Sequence, residues 1–134
     1  MSKTPWLVTG AGVAALIGVL FLSRPAGIAA STHPTPRLGI TPAKVVPPSF
    51  VPRTPGADDA YAAARAAAAT LDGVYCYCDC SKHAGHRSLL TCFESEHGAY
   101  CDICMREAML ASGMAKQGKS LMEIRTAIDR QFGS

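Results

Sequence analysis

The sequence predicts a mainly α protein, with a small Cys/His-rich helical domain behind an N-terminal hydrophobic helix and a Pro-rich linker. Three observations lead there. Composition divides near Gly56: all nine prolines precede it, whereas all six cysteines and all ten acidic residues follow it. Residues 58–71 are rich in alanine and contain neither Gly nor Pro, which favours helix by propensity. Leu121, Ile124, Ile128 and Phe132 recur at helical spacing and predict a core-facing stripe.

Charge follows the same division. The first 56 residues carry five basic side chains and no acid; the remainder carries eight basic and ten acidic ones. The net +3 of the 134-residue chain is therefore a basic arm joined to a slightly acidic domain, and no nucleic-acid partner is expected. The length excludes a multidomain enzyme.

In chain order, the first element is Trp6 to Leu22, an uncharged run between Lys3 and Arg24. It sits at the lower edge of what crosses a bilayer as a helix. With the small residues at 27–31 it also fits a secretory signal. Residues 1–30 are thus expected to be a signal peptide or signal anchor. The rest is then extracytoplasmic, in the periplasm or at the cell surface, either membrane-anchored through residues 6–22 or secreted. Gly10-Ala-Gly12-Val-Ala-Ala15 matches the start of a dinucleotide-binding fingerprint. No acidic residue occurs before Asp58, however, and no βαβ context surrounds it, so that reading fails.

Residues 31–56 form the Pro-rich linker, expected as a polyproline II spacer. Its scattered Val, Ile and Phe offer the alternative that it lies along the domain. His33 stands alone there and reads as a solvated linker residue.

The domain proper is expected over 57–134. Its first helix runs from Asp58 to Leu71, with Asp58 and Asp59 in the first turn and Gly73 beyond the end. Val74 to Cys80 is β-prone or irregular. A short helix is predicted within 86–96, carrying Leu89, Leu90 and Phe93. A longer one spans Ala99 to about Lys116, with Ile103, Leu110 and Met114 on one face. Ser120-Leu-Met-Glu123 is a capping box that opens the last helix. Large apolar side chains are sparse, and a core this small needs oligomerisation, metal or disulfides for support.

Function concentrates in residues 76–104, which hold all six cysteines and three of the four histidines. The order is Cys76-x-Cys78-x-Cys80-x2-His83-x2-His86-x5-Cys92-x4-His97-x3-Cys101-x2-Cys104. If 75–80 is extended, Cys76, Cys78 and Cys80 share one face; if it turns, their sulfurs converge more closely. Cys101 and Cys104, three apart on a helix, share a face as well. Thiolates suit Cu(I) and Zn(II), and imidazole suits zinc and copper.

Three chemistries remain open at this point. Six cysteines in an exported domain allow three disulfides, with Cys76, Cys78 and Cys80 reaching Cys92, Cys101 and Cys104. The interspersed histidines, which disulfides leave unexplained, point to metal. Cys101-Asp-Ile-Cys104 at a helix start allows thiol redox work. Individually His83, His86 and His97 read as loop or capping residues; beside six thiols they read as ligands. Met105, Met109 and Met114 are expected as core filler, with Met105 also able to join a Cu(I) site. Tyr75, Tyr77 and Tyr100 are expected to flank the site. No nucleophile elbow, phosphate loop or supported carboxylate pair accompanies them.

Cys76-Tyr-Cys-Asp-Cys80, Gly85-His-Arg-Ser-Leu-Leu-Thr-Cys-Phe93, His97-Gly-Ala-Tyr-Cys-Asp-Ile-Cys104 and Gly118-Lys-Ser120 with Glu123-Ile-Arg125 together resemble the PCYCGC-motif or CYCXC family. The resemblance covers residues 74–132. It implies a small exported bacterial protein, often a lipoprotein and in some members a selenoprotein. Selenium there implies a chalcogen position open to redox chemistry or soft metals, and the motif match adds weight to His86 and His97. Two departures stand out: Val74-Tyr75 replaces the proline-containing lead-in, and no cysteine near the N-terminus accepts lipid.

The resulting expectation is an exported, membrane-anchored or secreted soft-metal protein for capture, transfer or electron transfer. Cys76, Cys78, Cys80, Cys101 and Cys104 form the thiolate centre, with His86, Cys92 and His97 as secondary ligands. Copper is the first choice of cofactor, zinc the second, and disulfides without metal the third. A metal-transfer or redox protein is the expected partner. The alternatives are an extracytoplasmic thiol–disulfide redox protein, or a disulfide-stabilised subunit of a membrane complex that uses the Pro-rich arm as its contact.

Overall fold

The alanine-rich start of the domain folds as expected but in two pieces. In the computed structural model, which describes residues 33–133, helix α1 spans Ala57–Ala66 and helix α2 spans Ala68–Asp72. Ala67 breaks the run at φ −128°, ψ 31°, although neither Gly nor Pro marks the place. Propensity alone therefore extends this helix too far; the break delivers Leu71 and Asp72 to the core, where both are fully buried.

Short helices α3 (Cys80–His83) and α4 (Leu89–Phe93) follow, then a 3-10 turn over Glu96–Tyr100. The two long elements close the chain: α5 (Asp102–Lys116) and α6 (Leu121–Phe132). The capping box is formed in full, with Ser120 Oγ accepting from Glu123 N–H and Glu123 accepting from Ser120 N–H. No strand occurs among the described residues, and the structure is mainly helical.

Helix α1 packs along α5, and α5 against α6. The buried positions on α1 are Ala57, Ala60, Tyr61, Ala63 and Ala64; those on α5 are Cys104, Glu107, Ala108, Ala111 and Ser112. Apart from Tyr61 and Glu107, both faces are built of small residues, which permits a close approach of the two backbones. This rotates α5 away from the expected face: Ile103 is left on the surface, while Leu110 and Met114 only flank the core. Met109 is likewise exposed rather than core filler. Tyr61 and Phe93 meet edge-to-face at 4.9 Å in the centre, and Ile124 and Ile128 close it from α6.

Residues 33–56 lie along these helices rather than standing off as a spacer. Val45 and Val51 are buried, and Val46 N–H donates to Phe93 O at 3.0 Å. Polar clamps fix the rest of the arm. Arg65 reaches Val46 O, Arg87 reaches Thr35 O, and Arg125 reaches Pro34 O. Arg37 holds the buried Asp72 carboxylate through its backbone N–H at 2.6 Å and its Nη2 at 2.7 Å, and it also bonds Glu94. Proline lacks the donors for a ladder, but its neighbours' groups and the arm's own carbonyls find partners on the domain.

His33 departs from the solvated reading in the same way: its side chain is 1% exposed. Its Nδ1 accepts from Tyr75 N–H at 2.9 Å, and Nε2 pairs with Asp129 at 2.7 Å. The hydrophobic run at 6–22, with its signal or anchor reading, lies outside the described residues. Among the described residues, no helix is long and apolar enough to cross a membrane.

Candidate metal centre

The Cys76–Cys80 segment is a turn, the second of the two geometries its spacing allowed. Asp79 N–H closes onto Cys76 O at 3.2 Å, and Asp79 adopts a left-handed backbone with φ 59°. The turn leads directly into α3, so Cys76, Cys78 and Cys80 aim their sulfurs into one region. Helix α5 supplies the facing pair. Cys101 is its N-cap, with Sγ accepting from Cys104 N–H at 3.2 Å, and Cys104 sits one turn inside. Helix α4 contributes Cys92, the loop before it His86, and the 3-10 turn His97.

These donors converge. Cys76 Sγ stands 3.4 Å from both Cys78 Sγ and Cys104 Sγ, and Cys104 Sγ lies 3.5 Å from Cys78 Sγ. Cys80 Sγ approaches Cys92 Sγ at 3.2 Å, and His86 Nδ1 approaches Cys92 Sγ at 3.3 Å. The His86 and His97 rings pack edge-to-face at 4.6 Å. Three sets of four donors result, each with all its ligand atoms within 4.8 Å of one another. They are Cys76, Cys78, Cys80 and Cys104; then Cys78, His97, Cys101 and Cys104; then Cys80, His86, Cys92 and His97. A tetrahedral thiolate site with bonds of about 2.3 Å places its ligands about 3.8 Å apart, so each set has the dimensions of one ion.

All eight residues singled out from the sequence are brought together here, and all six thiols are free. His83 is not among them. It is exposed, 6.4 Å from the His97 ring, with Nε2 at 3.4 Å from Cys78 O. Of the expected flanking tyrosines, Tyr75 and Tyr77 pack edge-to-face at 5.2 Å, whereas Tyr100 points largely into solvent.

Crowding sets the protonation. The Cys101 thiol is pushed down to about 6, chiefly by the hydrogen bond from the Cys104 side chain and also by the Cys104 backbone N–H, against the effect of burial. Hydrogen bonds from Cys104 and Cys92 lower Cys76, while donation to Cys101 and Cys76 raises Cys104 far above an ordinary thiol. Burial raises Cys78 and Cys80. The pocket thus favours a few thiolates among protonated neighbours, which a cation would convert to a full thiolate set. Burial, with help from His97, lowers His86 and keeps its imidazole in the neutral form that ligates metal.

A family model described as a protein of unknown function with PCYCGC motif matches residues 39–134. The chain belongs to this family. No curated protein and no solved structure matches it. The match begins inside the Pro-rich stretch, consistent with an arm that packs as part of the domain.

In this PCYCGC protein the motif itself reads Tyr75-Cys-Tyr-Cys-Asp-Cys80, and its differences at positions 75 and 79 have structural counterparts. Tyr75 stands where the motif has proline, and its N–H, which proline lacks, is the donor to His33. Asp79 stands where the motif has glycine, at the one non-glycine position among the described residues with positive φ. Aspartate tolerates that conformation better than most residues. Here its carboxylate also accepts from Tyr75 Oη at 2.7 Å and Lys82 Nζ at 2.9 Å.

One residue of the centre was missed from the sequence. Glu107, fully buried on α5 one turn after Cys104, accepts from Tyr77 N–H at 2.9 Å through Oε1. It braces the turn between Cys76 and Cys78. Burial first, and the charge of Cys76 second, push this carboxyl up to about 10, so it is protonated at neutral pH. The available signal was the spacing Cys104-x2-Glu107-Ala108, which puts the acid on the cysteine's side of the helix.

Proposed function

We propose that this protein binds a soft metal ion, with copper as Cu(I) the first choice and zinc the second, for capture, transfer or electron transfer outside the cytoplasm. The carrying observation is the convergence of eight Cys and His donors into sets of metal-site dimensions. Thiolate-rich coordination with imidazole favours such ions over hard ones. Cys78, Cys101 and His97 form the half-exposed side of the centre, where an ion or a partner's ligand has access; Cys76, Cys80, Cys92 and Cys104 form its buried floor. Residues 6–22 would hold the domain at a membrane if they are retained, and a metal-transfer partner would exchange ions at the half-exposed side.

Metal analysis of protein isolated anaerobically from its own compartment tests this. Stoichiometric copper or zinc with reduced cysteines is the expected result. Metal-free protein with three intact disulfides would overturn it.

A second reading rests on the low Cys101 thiol beside Cys104. Cys101 thiolate would attack a partner's disulfide, and Cys104 would resolve the mixed disulfide. The products are a Cys101–Cys104 disulfide and the partner's dithiol. Its signature is a measurable Cys101–Cys104 reduction potential that survives mutation of Cys76, Cys80 and Cys92.

A further inference from the structure

We infer that the eight donors hold one thiolate-bridged cluster of three ions that fills as a unit, rather than a mononuclear site with spare cysteines. The inference rests on the soft-metal reading and goes on to the number of ions and their coupling.

The three donor sets overlap. The first and second share Cys78 and Cys104, the first and third share Cys80, and the second and third share His97. No two sets are disjoint. Two ions cannot each take a complete set without a common ligand, so any occupancy beyond one is coupled through a shared residue. Three isolated four-ligand sites would need twelve donors, and eight are present. Sulfur removes three of the four missing donors, because a thiolate has lone pairs enough to bind two ions at once. The three shared cysteines are also those at the junctions: Cys78 and Cys80 flank Asp79 in the turn, and Cys104 faces them from α5.

Sharing also makes the later ions easier to bind than the first. An ion in the first set must gather Cys76, Cys78, Cys80 and Cys104 as thiolates. An ion in the second then finds Cys78 and Cys104 already stripped and needs only Cys101 and the lone pair of His97. An ion in the third finds Cys80 stripped and needs Cys92 and His86. His97 gives its one lone-pair nitrogen to the second set, and the ion in the third keeps Cys80, Cys92 and His86. The sum is six cysteines bound as thiolates, with the protons of those that were still thiols passed to solvent and no change in oxidation state. Because the first set already holds three of the four shared donors, the first ion meets most of the cost of gathering and ordering the ligands and the following ions little.

Native mass spectrometry of the reduced full chain in detergent, titrated anaerobically with Zn(II) and separately with chelated Cu(I), tests the inference. At one equivalent, metal-free chain and a three-metal species should dominate, with proton release rising in step with the three-metal species. A one-metal species that dominates at one equivalent and remains the endpoint overturns the cluster while leaving the soft-metal reading intact. Failure to bind either ion overturns both. Two variants sharpen the result. Cys104→Ser breaks the first and second sets and should reduce capacity from three ions to one. His86→Gln touches only the third set and should reduce it to two. Equal loss of one ion in each variant would show independent sites and overturn the bridging. If Cys104→Ser does not fold, the wild-type speciation and the partly exposed His86 position still decide the question.

Discussion

At the scale of single residues, the centre is built by side chains whose ordinary preferences are overridden. A carboxylic acid on a buried helix face normally costs several kcal/mol unless it is paired or neutral. Glu107 takes the neutral route: its proton is retained, and one oxygen is spent on the Tyr77 N–H that shapes the cysteine turn. The consequence is testable in reduced, metal-free protein by denaturant unfolding. Glu107→Gln keeps the volume and the acceptor and should cost under about 1 kcal/mol, whereas Glu107→Ala strands the Tyr77 N–H, opens a cavity and should cost about 2–4 kcal/mol. Equal losses in the two variants would mean that Glu107 is ionised in the fold. The eight converging side chains were visible in the sequence as part of a run of six cysteines and three histidines within residues 76–104, from which the structure leaves out His83. Glu107 was not legible in that way. Its role depends on the rotation of α5, and that is decided by alanines on α1 which look interchangeable in sequence.

Among the elements, the short pieces do more for the centre than the long ones. The Leu121–Phe132 helix was readable from its cap and stripe, and it forms as expected. The break at Ala67 was unreadable, since a run of alanines carries no local stop signal and only tertiary packing places one. The 3-10 turn that presents His97 shows the reverse case, in which one small residue is indispensable. A Cβ on Gly98 would stand 2.9 Å from two atoms of the Phe93 ring and 3.0 Å from Cys92 O. Phe93 is locked edge-to-face against Tyr61 in the core, and the Cys92 carbonyl belongs to α4, so neither yields easily. Gly98→Ala is therefore expected to lift the turn and destabilise the fold by about 1–3 kcal/mol, seen as a lower Tm, and to draw His97 away from His86. An unchanged Tm would mean that the turn does not pack as tightly as these contacts require.

Across the whole molecule, the Pro-rich arm is a structural part of the unit and responds to pH. Composition separated it from the domain, and that separation was true of the sequence but not of the packing. Its prolines prevent regular structure without preventing docking through Val45, Val51 and Arg37. Two titrating anchors hold it. At His33, burial lowers the imidazole below its usual value, and the nearby Arg125 adds to this against the opposing pull of Asp129. The ring is bounded by the Tyr75 N–H and by Asp129, whose Oδ1 also accepts from Tyr77 Oη. At Asp72, burial raises the carboxyl, but Arg37, with Arg87, outweighs it and holds the group below its usual value. Both folded values are depressed, so both anchors contribute fully above the unfolded values and weaken on acidification. His33 acts first: below its unfolded value of 6.5, the undocked state takes up the proton more readily than the docked one, and stability falls until the lowered folded value is passed. Asp72 adds a second loss below 3.8. Relative to the intrinsic amide rate at each pH, protection from hydrogen exchange over residues 33–56 should accordingly be high at neutral pH and lower near pH 5, ahead of the helical core. His86 also titrates low, in contact with the cysteines, so the decisive comparison is His33→Asn. That variant should exchange faster at neutral pH and lose most of the acid dependence in the arm. If it retains the wild-type pH profile, the imidazole is not what fastens the arm to α6.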